Sequence, residues 1–308
     1  LDILAQQIAN GLVLGSIYAL IALGYTMVYG ILGLINFAHG EVTMVGAMVC
    51  ITLLNALLAT FNLPPLVALA IVMGFSMFFC LLLGVSIERI AYRPLRGAPR
   101  LAPLITAIGV SIVLQNLAMI IWGRGYQRFP DIFPAQSVHI FGATLTPVKI
   151  AIVLITTVTL AGLWLMVNRT SLGRAMRATS QNPQVAQLMG VDTNRIISST
   201  FAVGSALGAL AGIMVAANYG QADPYMGFML GLKAFSAAVL GGIGNLAGAV
   251  VGGLLLGLLE SLGAGYIGKL TGGVLGSHYQ DIFAFLILIL VLVFRPSGLL
   301  GERVAERA

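Results

Sequence analysis

Charge is scarce in this chain. Only 8% of its 308 residues are Asp, Glu, Lys or Arg, against about a quarter in an ordinary soluble domain. No charged residue occurs from 3 to 38, nor from 42 to 87. Such runs, with 59% hydrophobic residues and a mean hydropathy of +1.00, exclude a soluble globular domain and specify a polytopic membrane protein. Cysteine is nearly missing. Cys50 and Cys80 are the only two, both inside apolar stretches, and imply no disulfide framework. Catalytic signatures are missing too. There is no nucleophile elbow, flavin fingerprint or zinc spacing, since His39, His139 and His278 fall in different segments. The glycine-rich stretch 241–248 lacks the Gly-Lys-Ser/Thr ending of a phosphate loop. A basic n-region is absent behind Leu1-Asp2, so no cleavable signal peptide is expected.

What charge there is falls in clusters. Arg89, Arg93, Arg96 and Arg100 share one short loop, Arg169, Arg174, Arg177 and Arg195 another, and Arg295, Arg303 and Arg307 follow the last apolar run. Basic short loops face the cytoplasm. Nucleic-acid binding, the other use of arginine clusters, is not expected, because no soluble domain accompanies them. An apolar run of about 20 residues is needed to cross a bilayer. On that rule, one helix covers 8–29, followed by a broken or re-entrant piece ending near Glu41. The run 42–87 divides at Asn62-Leu63-Pro64-Pro65 into two crossings, and 101–123 is a further one. An irregular outer loop then leads to a crossing at 148–167 and the second basic loop, 168–197. Both that loop and the tail after Arg295 belong inside, so an even number of crossings joins them. The shorter segment 225–240, with Lys233, must therefore cross alongside 198–219, 243–262 and 282–294. The expectation is one all-α transmembrane domain over 1–308, with about eight crossings, broken or re-entrant helices and a cytoplasmic C-terminus.

The polar patch Ile35-Asn36-Phe37-Ala38-His39-Gly40-Glu41 stands out in this apolar setting. Residues two apart do not share a helix face, so His39 and Glu41 are not expected to form a pair. One reading puts Glu41 at the cytoplasmic edge of the next helix, near its positive N-terminal end, at little desolvation cost. The other makes Asn36, His39 and Glu41 pathway or gate residues. Gly33-Leu-Ile-Asn36-Phe-Ala38 has a weak echo in Gly242-Ile-Gly-Asn245-Leu-Ala247, which adds Asn245 to that group. Glu260 and Lys233 are expected at the interface, the lysine snorkelling to water. Gly248, Gly252, Gly253 and Gly257 form a small-residue series suited to close helix packing. In the loop 168–197, Asn182 is a good N-cap, Pro183 suits the first helical position and Gly190 the C′ position. Val185, Leu188 and Met189 fall on one face between them. This spacing predicts a short amphipathic helix on the cytoplasmic surface. It either rests on membrane lipid or docks a cytoplasmic protein.

Collectively, the patch at Asn36 to Glu41, the run from Tyr18 to Gly30, the Ile87-Glu-Arg-Ile-Ala-Tyr-Arg-Pro94 segment and the Ala234 to Gly244 segment resemble the LivH-type permease subunit of bacterial branched-chain amino acid ABC transporters. The resemblance runs from about Asn10 to Gly301. It implies an inner-membrane permease paired with a second, LivM-like permease subunit. Two cytoplasmic ATPase subunits would supply the power, and a periplasmic binding protein would deliver leucine, isoleucine or valine. The Asn182–Gly190 helix would then be the coupling helix. This chain would bind no cofactor, ATP and magnesium belonging to the ATPase subunits. Related permeases for urea and short amides carry a similar patch and form the alternative within the family. Outside it stand a self-contained channel or secondary transporter, which would favour a paired ionisable relay deep in the bundle, and a membrane-embedded enzyme, whose motif is missing.

Overall fold

The computed structural model describes residues 2–99, 101–134, 136–140, 142–270 and 280–301. Arg100, His278, Arg303 and Arg307 lie outside them. The described residues fold almost entirely into helices: α1 (Asp2–Leu32), α2 (His39–Thr60), α3 (Pro65–Ile87), α4 (Leu101–Trp122), α5 (Pro147–Arg169), α6 (Ser171–Gln181), α7 (Pro183–Leu188), α8 (Thr193–Tyr219), α9 (Met226–Gly241), α10 (Leu246–Leu270) and α11 (Gln280–Phe294). Seven are long and apolar enough to cross a membrane, and α9 and α11 supply two shorter apolar helices. The expected all-α bundle is therefore what the chain forms, with nine apolar helices among the described residues where about eight crossings were expected.

Contacts sort the helix ends into two layers. At one end Gln6 Nε2 donates to the Thr144 carbonyl and Lys149 Nζ to Asn10 Oδ1, 2.8 Å away. Strand β1 (Gln127–Arg128) pairs there with β4 (Gln221–Ala222), while β2 (Val138–Ile140) and β3 (Ala143–Leu145) form a separate hairpin in the same outer loop. At the other end Glu88 meets Arg93 and Arg96, and Leu299 N donates to the Leu240 carbonyl at 2.9 Å. Arg89, Arg169, Arg174, Arg195 and Arg295 cluster with this second layer, so it is the cytoplasmic one. Helix α1 thus begins on the outer side, a placement the sequence left open. Four helices, α8 to α11, connect the loop 168–197 to the C-terminal tail, as the parity of the basic loops requires.

The core is α1, held by α8, α9 and α10. Of its most apolar stretch 89% is buried, against 17% for α4, so α3, α4 and α5 form the periphery. The sequence suggested that α1 ends near Tyr29, with a broken piece after it. Instead it runs 31 residues without interruption. Its glycines are contact points, not hinges: Gly11 and Gly15 lie against the backbone of α10 at Leu258 and Leu254, and Gly24 lies under the His39 ring. The break is confined to the turn after Gly33, whose φ of 64° ends the helix. His39, Gly40 and Glu41 are not the end of a re-entrant piece but the first turn of α2.

The predicted small-residue series on α10 works as expected from packing. Gly248 abuts Gly241, Gly252 abuts Ala237 and Gly241, and Gly253 sits on the backbone of Ala19. No side chain fits at these contacts. Gly253→Leu is expected to remove most folded, monodisperse protein on a sizing column, because overpacking a tight contact costs about 1–3 kcal/mol or more. Gly109→Leu, on α4 with open space around it, should leave the profile unchanged. A cysteine substituted for exposed Ala178 on α6 should react with an impermeant thiol reagent only from the cytoplasmic face, since Cys50 and Cys80 are both buried.

Candidate functional site

Three polar constellations sit inside or at the end of the bundle, and each is built by local sequence. The first is the turn between α1 and α2. Asn36, 3% exposed, closes it. Its Oδ1 accepts from Ala38 N at 3.2 Å and from the Tyr92 hydroxyl at 2.9 Å, and its carbonyl accepts from His39 N. An asparagine side chain bonding its own backbone two residues on is a turn-former. Here the turn is also tied to the wide helical turn Glu88–Tyr92 that follows α3.

His39 and Glu41 leave this turn in different directions. His39 packs between Gly24 of α1 and Gly208 of α8, its ring edge-on to Tyr25 at a centroid distance of 4.9 Å. Its Nε2 has no hydrogen-bond partner among the described residues. Glu41 faces α4 and α9: Oε1 accepts from Ser111 Oγ at 3.3 Å, while Oε2 is unpartnered against Gly227. Glu41 is 1% exposed, so the reading that put it at the membrane edge is wrong. It does lie in the first turn of α2, at the positive end of the helix dipole. That helix starts inside the bundle, however, level with Gly204 and Gly208 of α8. The dipole therefore offsets a desolvation cost that an edge position would have avoided.

The second constellation was read wrongly from the sequence. Glu260 and Lys233 do not reach separately to water but to each other. Glu260 is 1% exposed, and Lys233 Nζ donates to its Oε1 at 2.8 Å and lies 2.7 Å from Asp281 Oδ1. The Tyr18 hydroxyl donates to Glu260 Oε2 at 2.8 Å. One ammonium thus bridges two carboxylates, joining α9, α10 and α11, with α1 attached through Tyr18. The signal that could have exposed this group is mutual: one positive and two negative charges in three consecutive apolar segments can pair when those segments pack. The third constellation is at the cytoplasmic end. Glu88, fully buried, accepts from Arg93, Arg96 and Ser198, and Arg96 also reaches Asn194 Oδ1 at 2.5 Å.

Asn245 does not join the first group. Its Oδ1 accepts from Gly248 N at 3.1 Å and its Nδ2 donates to the Leu300 carbonyl at 2.8 Å, so it caps α10 at the cytoplasmic end. The echo between Asn36 and Asn245 is a side-chain oxygen accepting from a backbone N–H just downstream, which closes a turn at Asn36 and caps a helix at Asn245.

The docking candidate forms as its spacing predicts. Asn182 Oδ1 accepts from Gln184 N and Val185 N, and Gly190 takes a φ of 85°. Val185, Leu188 and Met189 are 52%, 86% and 81% exposed, while Ala186 on the opposite face is buried. Helix α7 thus turns its small face to the bundle and its large apolar side chains outward. Among the described residues no group of three or more His, Cys, Asp or Glu could hold a metal ion.

Comparison with known proteins returns permeases of transport systems. A family model described as a branched-chain amino acid transport system permease component matches residues 7–292. The chain is 46% identical to the high-affinity branched-chain amino acid transport system permease protein BraD of Pseudomonas aeruginosa, covering 98% of this chain and 97% of BraD. It is 43% identical to LivH of Salmonella typhimurium, again over 98% and 97% of the two chains. A probable LivH of Methanocaldococcus jannaschii is 28% identical over 97% of this chain and 94% of its own.

Removing the Lys233 charge leaves two carboxylates facing each other in the bundle. Breaking a buried pair in this way costs about 3–5 kcal/mol. Lys233→Met should therefore lower the thermal midpoint of the purified protein markedly, and Lys233→Met combined with Glu260→Gln and Asp281→Asn should recover much of the loss. An unchanged midpoint in the single variant would show that the cluster is solvated.

Proposed function

This chain belongs to the family of permease components of branched-chain amino acid transport systems, and on that premise we propose that it is the membrane-spanning permease subunit of an ATP-driven importer for leucine, isoleucine and valine. It is a multi-pass protein of the inner membrane. The high identity to permeases named for branched-chain amino acids, over nearly the whole of both chains, supports this substrate class over urea or short amides.

The single observation that carries the mechanism is the outward apolar face of α7. A six-residue helix is marginal by itself, and Leu188 and Met189 are almost wholly exposed at the basic end of the bundle. Such a face suits a groove on a cytoplasmic protein, and in this family's setting an ATPase subunit is the fitting partner. A second permease subunit, two ATPase subunits and a binding protein on the outer side complete the assembly. ATP and magnesium are held by the ATPase subunits, and this chain itself catalyses no reaction and binds no cofactor.

Force applied at α7 has a short path into the bundle. Asn182 joins α7 to α6, and Gln187 Nε2 donates to Thr193 Oγ1 at the start of α8 at 2.7 Å. Helix α8 carries Gly208, which seats His39, and Gly204, which abuts Gly24 of α1. Movement of α8 relative to α1 would displace His39 and the buried start of α2. That makes Asn36, His39 and Glu41 gate residues near the cytoplasmic half of the pathway. The Lys233 cluster is internally paired, as a fixed brace would be, and does not favour a self-contained proton-driven carrier.

Placing a charge on the docking face tests this reading. An apolar anchor at the centre of an interface is worth about 2 kcal/mol or more. In proteoliposomes with the native partners, Leu188→Asp should lower leucine uptake and binding-protein-stimulated ATP hydrolysis by roughly tenfold or more. Uptake at the wild-type rate would remove α7 from the coupling path.

A further inference from the structure

A half-open pocket of about 120 Å³ lies at the cytoplasmic end, lined by α1, α5, α6, α8 and the turn leading into α10, with Arg177 and Ser180 exposed at its mouth. Its wall is divided by chemistry. Met27, Ile31, Val167, Met176 and Leu246 make most of it apolar. Thr26, Ser180 and Thr200 add hydroxyls, and Arg177 adds a guanidinium. The gate and docking residues described above are not part of it.

Thr26 marks the cavity as more than a packing fault. It is 1% exposed, and its Oγ1 has no hydrogen-bond partner among the described residues. Thr43 and Thr200, equally buried in helices, bond the carbonyl four residues back. A buried polar group left unpaired is costly. The neighbouring groups also have unused capacity. Arg177 spends one donor on the Val167 carbonyl and has five in all. Gly30 and Ile31 belong to the last turn of α1, where carbonyls lack helical donors and the dipole is negative.

The wall therefore presents a positive group, a negative helix end and an apolar hollow within one small volume. We propose that this cavity is a cytoplasm-facing binding site for a branched-chain amino acid, the substrate class resting on the importer reading above. The carboxylate is held by Arg177. The ammonium group turns to the carbonyl end of α1 and the Thr26 hydroxyl, and the branched side chain fills the space between Met27, Val167 and Met176. The space is smaller than the cavity of about 150 Å³ that admits benzene, but an isopropyl or isobutyl group has fewer carbons than benzene, and the open mouth leaves room for the carboxylate and ammonium groups. A charged side chain would be left unpaired against the methionines, which excludes lysine and glutamate. Helix α6 contributes Met176, Arg177 and Ser180 to the wall and leads directly into α7. Imported product bound here clamps α6 to α1 and α8 and so restrains the docking segment.

The test uses the purified assembly with its native partners in nanodiscs, without binding protein, titrated with radiolabelled leucine. Saturable binding is expected, competed by isoleucine and valine and not by lysine or glutamate. Arg177→Gln should weaken it at least about tenfold, as loss of a hydrogen bond to a charged group does, and Arg177→Lys should weaken it less. Thr26→Val, nearly isosteric, should weaken it several-fold. Sizing-column profiles establish that the variants remain assembled. No saturable binding in the wild type, or binding unchanged in Arg177→Gln and Thr26→Val, overturns the site. Uptake driven by leucine-loaded binding protein is measured on the same preparation. Uptake without cavity binding removes the site and keeps the importer; cavity binding without uptake of any branched-chain amino acid does the reverse.

Discussion

Backbone laid directly on backbone is the contact on which this structure depends. Gly15 and Gly257 bring α1 and α10 together, Gly24 and Gly204 bring α1 and α8 together, and Gly40 and Gly227 bring α2 and α9 together. In lipid there is no hydrophobic gain from hiding one apolar helix behind another, so association rests on close van der Waals packing and on the few polar links available. Glycine permits the first. The same close approach creates the slots into which His39 and Glu41 fit, so the packing of the core and the placement of its polar groups are one problem.

The polar groups divide by whether their charge is paired. Glu88 and the Lys233 cluster hold ion pairs and join helices distant in sequence, although Arg96 Nε and Asp281 Oδ1 have no hydrogen bond among the described residues. His39 and Glu41 each retain one unpartnered atom in the interior and belong to no ion pair among the described residues. A paired charge resists displacement, because breaking the pair strands it. An under-satisfied group has less to lose on rearrangement. The first set is therefore suited to bracing and the second to moving.

Much of this was legible in the sequence, and what was not has a physical reason. Apolar runs, basic loops and their parity gave the bundle and its cytoplasmic end, and Asn182, Pro183 and Gly190 bounded α7, because these are local signals. The depth of Glu41 was not legible. Nothing within the 35–41 patch says that α2 begins inside the bundle, since that follows from the length of α1 and from where α8 passes. The Lys233 cluster failed for the same reason. Each charge taken alone reads as an interfacial residue, and only the packing of α9, α10 and α11 reveals their pairing. The product cavity gathers residues from the Tyr18 to Gly30 run, the basic loop and the turn before α10, and none of these segments signals it alone.

The pairing of Lys233 also bears on how α9 stays in the bilayer. Helix α9 has 16 residues and α11 has 15, about 24 and 22 Å at 1.5 Å per residue, against a hydrocarbon layer of about 30 Å. A lone lysine near the middle of so short a segment opposes insertion by about 2.5–3.5 kcal/mol. Helix α9 alone is therefore a weak membrane segment. Pairing with Glu260 and Asp281 offsets the cost of its lysine, so the stability of α9 in the bilayer depends on α10 and α11 being beside it.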